Sequence, residues 1–167
     1  MTGDPPLDDL TPEDAHPRAR AALTDRFFWD VNDPGCPLGG DTGRDALDAL
    51  RDYRDEHPRG SVVAVLDELL SRWEIDNGHW EVIGEAEVEA LGADDELGLL
   101  TRDEALLALV FAEIVVEGKV EPELRRRALL ALKRQALPAL LHGWGDRRLE
   151  RAARIERMRE VLSQRWD

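Results

Sequence analysis

The chain has a single cysteine, Cys36, among its 167 residues. One cysteine cannot close an internal disulfide, and no Cys/His spacing forms a zinc site. The sequence suits a reducing compartment or is indifferent to redox state. Long apolar runs are also missing. The longest candidate, Ala105 to Val116, contains Glu113 and falls short of the ~20 apolar residues that cross a bilayer. Residues 1–9 have neither a basic start nor an apolar stretch, which excludes a secretory signal. The expectation is a cytoplasmic protein with no membrane partner.

Positive charge is scarce relative to negative. Lys and Arg total 22 against 36 Asp and Glu, a formal charge of −14 with pI near 4.7. That balance argues against nucleic acid and anionic membrane as partners of the whole molecule. The distribution is uneven. Residues 1–118 carry 29 acids and 9 bases, a net of −20, whereas residues 119–167 carry 7 acids and 13 bases, a net of +6. The plain reading is that basic C-terminal helices dock on an acidic body. A basic face presented to a partner or a nucleic acid is the alternative. Leu and Ala between the arginines of 125–159, rather than aromatics, favour helix packing.

Hydrophobic residues make up 43% of the chain and charged residues 35%. The apolar residues recur with helical spacing, as in Ala46, Leu47, Leu50 and Tyr53. The pattern predicts a mainly α-helical protein, a compact irregular bundle of six or seven helices with one long ordered Gly/Pro/Asp loop. Residues 1–10 are Pro- and Asp-rich and are expected to be disordered, leaving 11–167 as a single domain. Helices are expected from Pro17 to about Leu23, Gly43 to Glu56, Val62 to Trp73, Pro122 to about Leu141 and Arg147 to about Arg165. Asp41 or Thr42, Ser61 and Asp146 are the expected caps. Glu85 to Leu91 reads as a short helix ended by Gly92, and 93–98 as an acidic turn. Thr101 and Glu104 form a capping-box pattern opening the most apolar helix, which Gly118 stops. Pro138 is expected to kink or split its helix. Trp80 to Ile83 reads as a short strand or an extended packing segment.

The chemistry-bearing residues gather between Trp29 and Asp45. Glycines and prolines at 34–40 imply a fixed loop path. Asp30, Asp33, Gly39, Gly40, Asp41, Thr42 and Asp45 form a candidate ligand loop. One reading is a hard-cation site, since Ca²⁺ and Mg²⁺ prefer carboxylate oxygens. The plainer reading has Asp41 as a helix cap, Asp30 and Asp33 bonded to loop amides, and Asp45 complementing the helix dipole. Cys36 lacks a base signalled by spacing and reads as an inert packed thiol. Glu113 sits in the most apolar helix, where an ion pair with a base from 125–134 is expected. Among the five tryptophans, Trp166 near the chain end is the candidate for an exposed or partner-facing patch.

The strings Ala15-His16-Pro17, Phe27-Phe28-Trp29-Asp30 and Pro37-Leu38-Gly39-Gly40-Asp41-Thr42-Gly43-Arg44-Asp45 resemble the YfeS-like family of small bacterial proteins. The loop of that family typically reads Ser-Pro-Phe-Gly-Asn-Asp-Thr-Gly-Ala-Asp. A second block fits too: Phe111-Ala112-Glu113, Glu117-Gly118-Lys119-Val120 and Arg134-Gln135. Leu38 and Gly40 depart from the pattern, where Phe and Asn are usual. Some members carry WGR-domain or molybdate-metabolism labels, but the nearest string here is Trp144-Gly145-Asp146. The resemblance implies a fold and a bacterial origin, and no activity.

No activity is therefore assignable from sequence. The leading expectation is a non-catalytic interaction module, such as a regulator, adaptor or immunity-type inhibitor, whose acidic surface meets a basic protein. The alternative is an enzyme or small-ligand or cation binder using the Asp30–Asp45 loop. No catalytic residue and no cofactor is expected.

Overall fold

The computed structural model describes residues 11–167, so the segment expected to be disordered, 1–10, lies outside the described residues. A 3₁₀ turn at Pro12–Asp14 leads into α1 (Pro17–Ala22), and a second at Arg26–Phe28 precedes the long loop. Then follow α2 (Gly40–Glu56), α3 (Val62–Arg72), α4 (Glu85–Glu117), α5 (Pro122–Gln135) and α6 (Pro138–Leu141). A 3₁₀ segment, His142–Arg147, runs into α7 (Arg148–Leu162). The described residues contain no strand, in line with the all-α expectation.

The C-terminal half of α4 is the core axis. Leu106, Leu109, Val110, Phe111 and Ile114 are fully buried, because apolar residues cover nearly the whole circumference there. α2, α3 and α5 pack around it, and α7 packs outside α5. Gly118 ends α4 in the left-handed conformation (φ 66°, ψ 26°), and a Cβ there would collide with the His16 ring. The preceding residues fix the entry of α1 as well, since the Val115 carbonyl accepts the His16 N–H at 2.9 Å.

Several boundaries differ from expectation. Gly92 does not end a helix, but a break does fall inside the expected 93–98 turn: α4 is two helical stretches that meet at a kink at Asp95 (φ −154°, ψ 80°), whose Oδ1 accepts the Gly98 N–H at 3.0 Å. Thr101 and Glu104 therefore lie inside α4 and make no capping box. The stretch 96–100 lacks Pro and continues helically, so no free amide remains at 101–104 for a side chain to cap. α2 starts at Gly40 rather than Gly43, with Gly39 at its N-cap and no side-chain cap bond. Asp146 caps nothing; Arg147 holds the N-cap position of α7. Ser61 does cap α3, its Oγ accepting the Val63 N–H at 3.2 Å. Pro138 does split its helix, since α5 stops at Gln135 and α6 opens on the proline.

The segment 80–83 is not a strand: it opens in a turn, closed by the Val82 N–H on the His79 carbonyl at 3.2 Å, and runs on irregularly to α4. Arg134 holds it, donating Nη1 to the Val82 carbonyl at 2.6 Å and to the Trp80 carbonyl at 3.3 Å. The same guanidinium grips Asp103 at two points, 2.9 and 2.8 Å, and Gln135 Nε2 adds a third bond at 2.7 Å. Arg134 and Asp103 are both buried, and this complete set of partners is what makes such burial tolerable.

Trp166 is not an exposed patch: it is 4% exposed. Its indole N–H donates to the Val161 carbonyl at 2.8 Å, and its carbonyl accepts the Val120 N–H at 3.1 Å. Arg18 of α1 lies over the ring and donates to the Arg165 and Asp167 carbonyls. The chain end is thus fastened between α1 and α5.

Candidate functional site

The long loop is built from consecutive turns. Asp33 N–H donates to the Asp30 carbonyl, Cys36 N–H to the Asp33 carbonyl, and Gly39 N–H to the Cys36 carbonyl, each at 2.9–3.0 Å. Asp30 Oδ1 accepts the Asn32 N–H at 3.1 Å, and Asp33 Oδ1 accepts the Gly35 N–H at 2.8 Å. These are Asx turns, the plain role expected of both residues. Where the loop returns to α2, a Cβ on Gly43 would lie 2.2 Å from the Leu38 carbonyl carbon. Glycine is required there because two backbones touch.

Beneath this loop is a cavity of about 400 Å³, walled by 31–37, Gly39, Gly40 and Thr42 of the loop and first turn of α2. Glu104 and Leu107 of α4, Trp144, and Arg151 and Met158 of α7 close the other side. Of the predicted loop residues, Asp33, Gly39, Gly40 and Thr42 line the cavity; Asp30, Asp41 and Asp45 do not. Asp41 lies in the first turn of α2 without capping it, and Asp45 faces outward on the same helix. The described residues hold no group of three or more His, Cys, Asp or Glu placed to hold a metal ion, so the carboxylates of the loop do not converge.

The charges around the cavity are unequally satisfied. Asp33 is committed. Arg154 donates to Asp33 Oδ1, and Arg147 adds a second cation at 3.9 Å. Burial alone would raise the Asp33 carboxyl, but the Arg154 and Gly35 hydrogen bonds and both cations hold it below its ordinary range. Cys36 is buried, and its Sγ lies 3.4 Å from the Phe28 carbonyl it bonds. Burial, reinforced by the Asp33 and Asp30 charges, pushes the thiol up to about 11. No histidine lines the cavity, so Cys36 is not an activated nucleophile.

Arg151 is different. It is 8% exposed, yet its guanidinium makes no hydrogen bond and no ion pair among the described residues, and Nε is fully enclosed without an acceptor. Its one close partner is the Trp144 ring, 4.6 Å from centroid to Cζ. Burial lowers its pKa to about 10, so it stays charged at neutral pH. Glu104 is the nearest counter-charge: the two groups feel each other electrostatically without a hydrogen bond. The Glu104 side chain opens into the concavity, where crowding thins its hydration and raises its carboxyl. Sequence reasoning grouped Arg151 with the other α7 arginines and missed it. Most of those neighbours are spent on ion pairs: Arg147 and Arg154 with Glu150, Arg157 with Asp25 and Glu160, and Arg159 with Glu156; Arg148 is exposed to solvent.

Glu113 also departs from expectation. It pairs with no base of α5, because Arg134 points to Asp103. Instead Glu113 Oε1 accepts the Glu121 N–H at 3.0 Å. Burial, aided by the Glu117 and Glu121 charges, raises its carboxyl to about 7. Glu117, one turn on, bonds Arg54 at 2.9 Å.

A second concavity, about 510 Å³, lies between α2 and α3. Asp45, Asp48, Asp52 and Glu56 line it from one stripe of α2, with Glu68 and Arg72 opposite. Among the described residues the four α2 carboxylates make no ion pair, whereas Glu68 and Arg72 pair with each other at 2.8 Å.

The chain is similar to the "Uncharacterized protein YfeS" of Escherichia coli (strain K12), with 29% identity over 133 residues. The match covers 79% of this chain and 54% of that protein, so the chain spans about half the length of the curated relative it matches. The likeness to YfeS read from the sequence is borne out by this relative, and no activity comes with it. No family model and no solved structure matches the chain. No helix of the described residues is long and apolar enough to cross a membrane.

Proposed function

We propose that this protein binds a small organic molecule in the cavity under the 31–42 loop. The observation that carries the reading is Arg151, a buried guanidinium with no acceptor, facing a cavity of ligand size. Burying an ion without partners costs several kcal/mol in order of magnitude, and a ligand acceptor would recover that cost. The walls supply the rest of a site: apolar Val31, Leu107 and Met158 and the Trp144 ring, together with the polar side chains of Asn32, Asp33, Thr42 and Glu104. Nothing in the lining provides an activated nucleophile, so the reading is of binding rather than catalysis.

A metabolite panel screened by thermal melting tests it, since a ligand of the folded state raises the melting temperature. Thr42→Trp, at the half-buried edge of the cavity, fills the space without touching the core. A hit present in wild type and lost in Thr42→Trp supports the reading. An equal response in both proteins, or none in wild type, contradicts it.

The acidic groove favours a second reading, in which the protein is an interaction module, such as a regulator, adaptor or immunity-type inhibitor. The unpaired α2 row Asp45, Asp48, Asp52 and Glu56 would steer toward a basic protein in the cytoplasm. Such a partner would be retained at low salt, released at high salt, and lost on Asp48→Lys with Asp52→Lys. Binding that ignores salt and both substitutions contradicts this reading.

A further inference from the structure

From the two unpartnered charges in the cavity we infer that its ligand is a small zwitterion: a carboxylate that also carries an ammonium group, on an apolar body. The inference rests on the cavity reading above. Arg151 and Glu104 approach the cavity from two different helices, α7 and α4, and neither hydrogen-bonds the other or any described residue. A guanidinium offers a planar fork of donors that fits a carboxylate at two points. A carboxylate such as Glu104 accepts from an ammonium. A molecule with both groups satisfies both residues at once, whereas a plain anion leaves Glu104 unmatched and a plain amine leaves Arg151 unmatched.

Other features select in the same direction. α2 begins at the cavity edge with no side-chain cap, so the positive end of a 17-residue helix lies at the rim of the cavity that Arg151 lines. A phosphate dianion would gain from both, but the unpaired Glu104 carboxylate also lines the cavity and repels a doubly charged group. A single carboxylate balanced by an ammonium meets no such opposition. Val31, Leu107, Met158 and the Trp144 ring form the apolar part of the lining, which an apolar portion of the ligand would cover. The Trp144 ring covers one face of the Arg151 guanidinium and keeps water from that face, which strengthens a charge contact.

The test is calorimetric titration of the full chain with matched probes: L-leucine, L-methionine and L-phenylalanine, their deaminated carboxylates, their decarboxylated amines, and inorganic phosphate. At least one amino acid is expected to bind about tenfold or more tighter than both of its truncated counterparts, the size of one charge-assisted contact. Arg151→Met is expected to abolish binding of the amino acid and of its carboxylate. Glu104→Gln, a substitution at an open side chain, should leave the carboxylate unchanged and erase the advantage of the amino acid. Phosphate, or a carboxylate alone, binding as well as any amino acid overturns the zwitterion and leaves the cavity reading standing. The same holds if no probe binds but another metabolite gives a shift that Thr42→Trp removes. Silence in both experiments removes the cavity reading itself.

Discussion

Arg134 and Arg151 are both buried guanidiniums of the C-terminal half, and they differ in one respect. Arg134 meets Asp103 at two points and two backbone carbonyls, whereas Arg151 meets only the face of Trp144. The same side chain in the same bundle is a structural clamp in one place and an unfilled donor in the other.

Removing one partner of the clamp should be severe. Asp103→Ala strands a charged guanidinium and the Gln135 amide in the core, at a cost of about 3–5 kcal/mol. Denaturant titration measures it. A loss below about 1 kcal/mol would mean that Arg134 finds water or another acceptor.

The opposite sign is expected at Arg151. Arg151→Met keeps an unbranched apolar stem and removes an unmatched charge, at the loss of a cation–π contact of about 0.5–2 kcal/mol. The ligand-free variant should be more stable than wild type, by about 1 kcal/mol or more. Equal or lower stability would show that Arg151 serves the fold as it stands, and the cavity would lose its main support.

Glu113 makes stability depend on pH. Its carboxyl is raised to about 7 in the folded protein, first by burial, and lies near 4.5 when unfolded. Between those values the folded protein binds more protons than the unfolded chain. Its contribution is therefore most favourable below about pH 4.5 and falls as pH rises toward 7, then levels off. Glu113→Gln can still accept the Glu121 N–H and removes the titration. Its melting temperature relative to wild type should be higher at pH 8 than at pH 5, by the equivalent of a few kcal/mol. A difference independent of pH would contradict the buried, titrating carboxyl.

Gly43→Ala tests how the loop is held. The added methyl meets the Leu38 backbone rather than a movable side chain, so the loop must lift. The expected cost is about 1–3 kcal/mol, with limited proteolysis appearing within 31–39. An unchanged melting temperature would mean that the loop rides freely on α2.

Much of the helical skeleton is legible from sequence, because it follows from apolar period and from punctuation: Ser61 at the start of α3, Gly118 at the end of α4, Pro138 between α5 and α6. Cap signals without a free helix end misled, as at Thr101 and Asp146, since a capping box reads the same inside a helix that continues. The loop 30–42 stands out for its Gly, Pro and Asp content, and it does form one wall of the cavity. The opposite wall was not legible. Glu104 is far in the chain from Trp144 and Arg151. One local signal was available: Arg154 has Glu150 at i−4, whereas Arg151 has Arg147, Arg148, Arg154 and Ile155 at helical spacing and no acid. That Arg151 is buried at a cavity, and not in solvent, is decided by tertiary packing.

The most direct measurement follows the side-chain Nε–H resonances of Arg151 and Arg134 by NMR, in arginine-labelled protein titrated with a small-molecule extract of bacterial cells. The Arg151 resonance is expected to move and saturate while that of Arg134, already satisfied by Asp103, stays in place. An Arg151 resonance that does not respond, or one that moves only together with Arg134, would contradict a ligand site in this cavity.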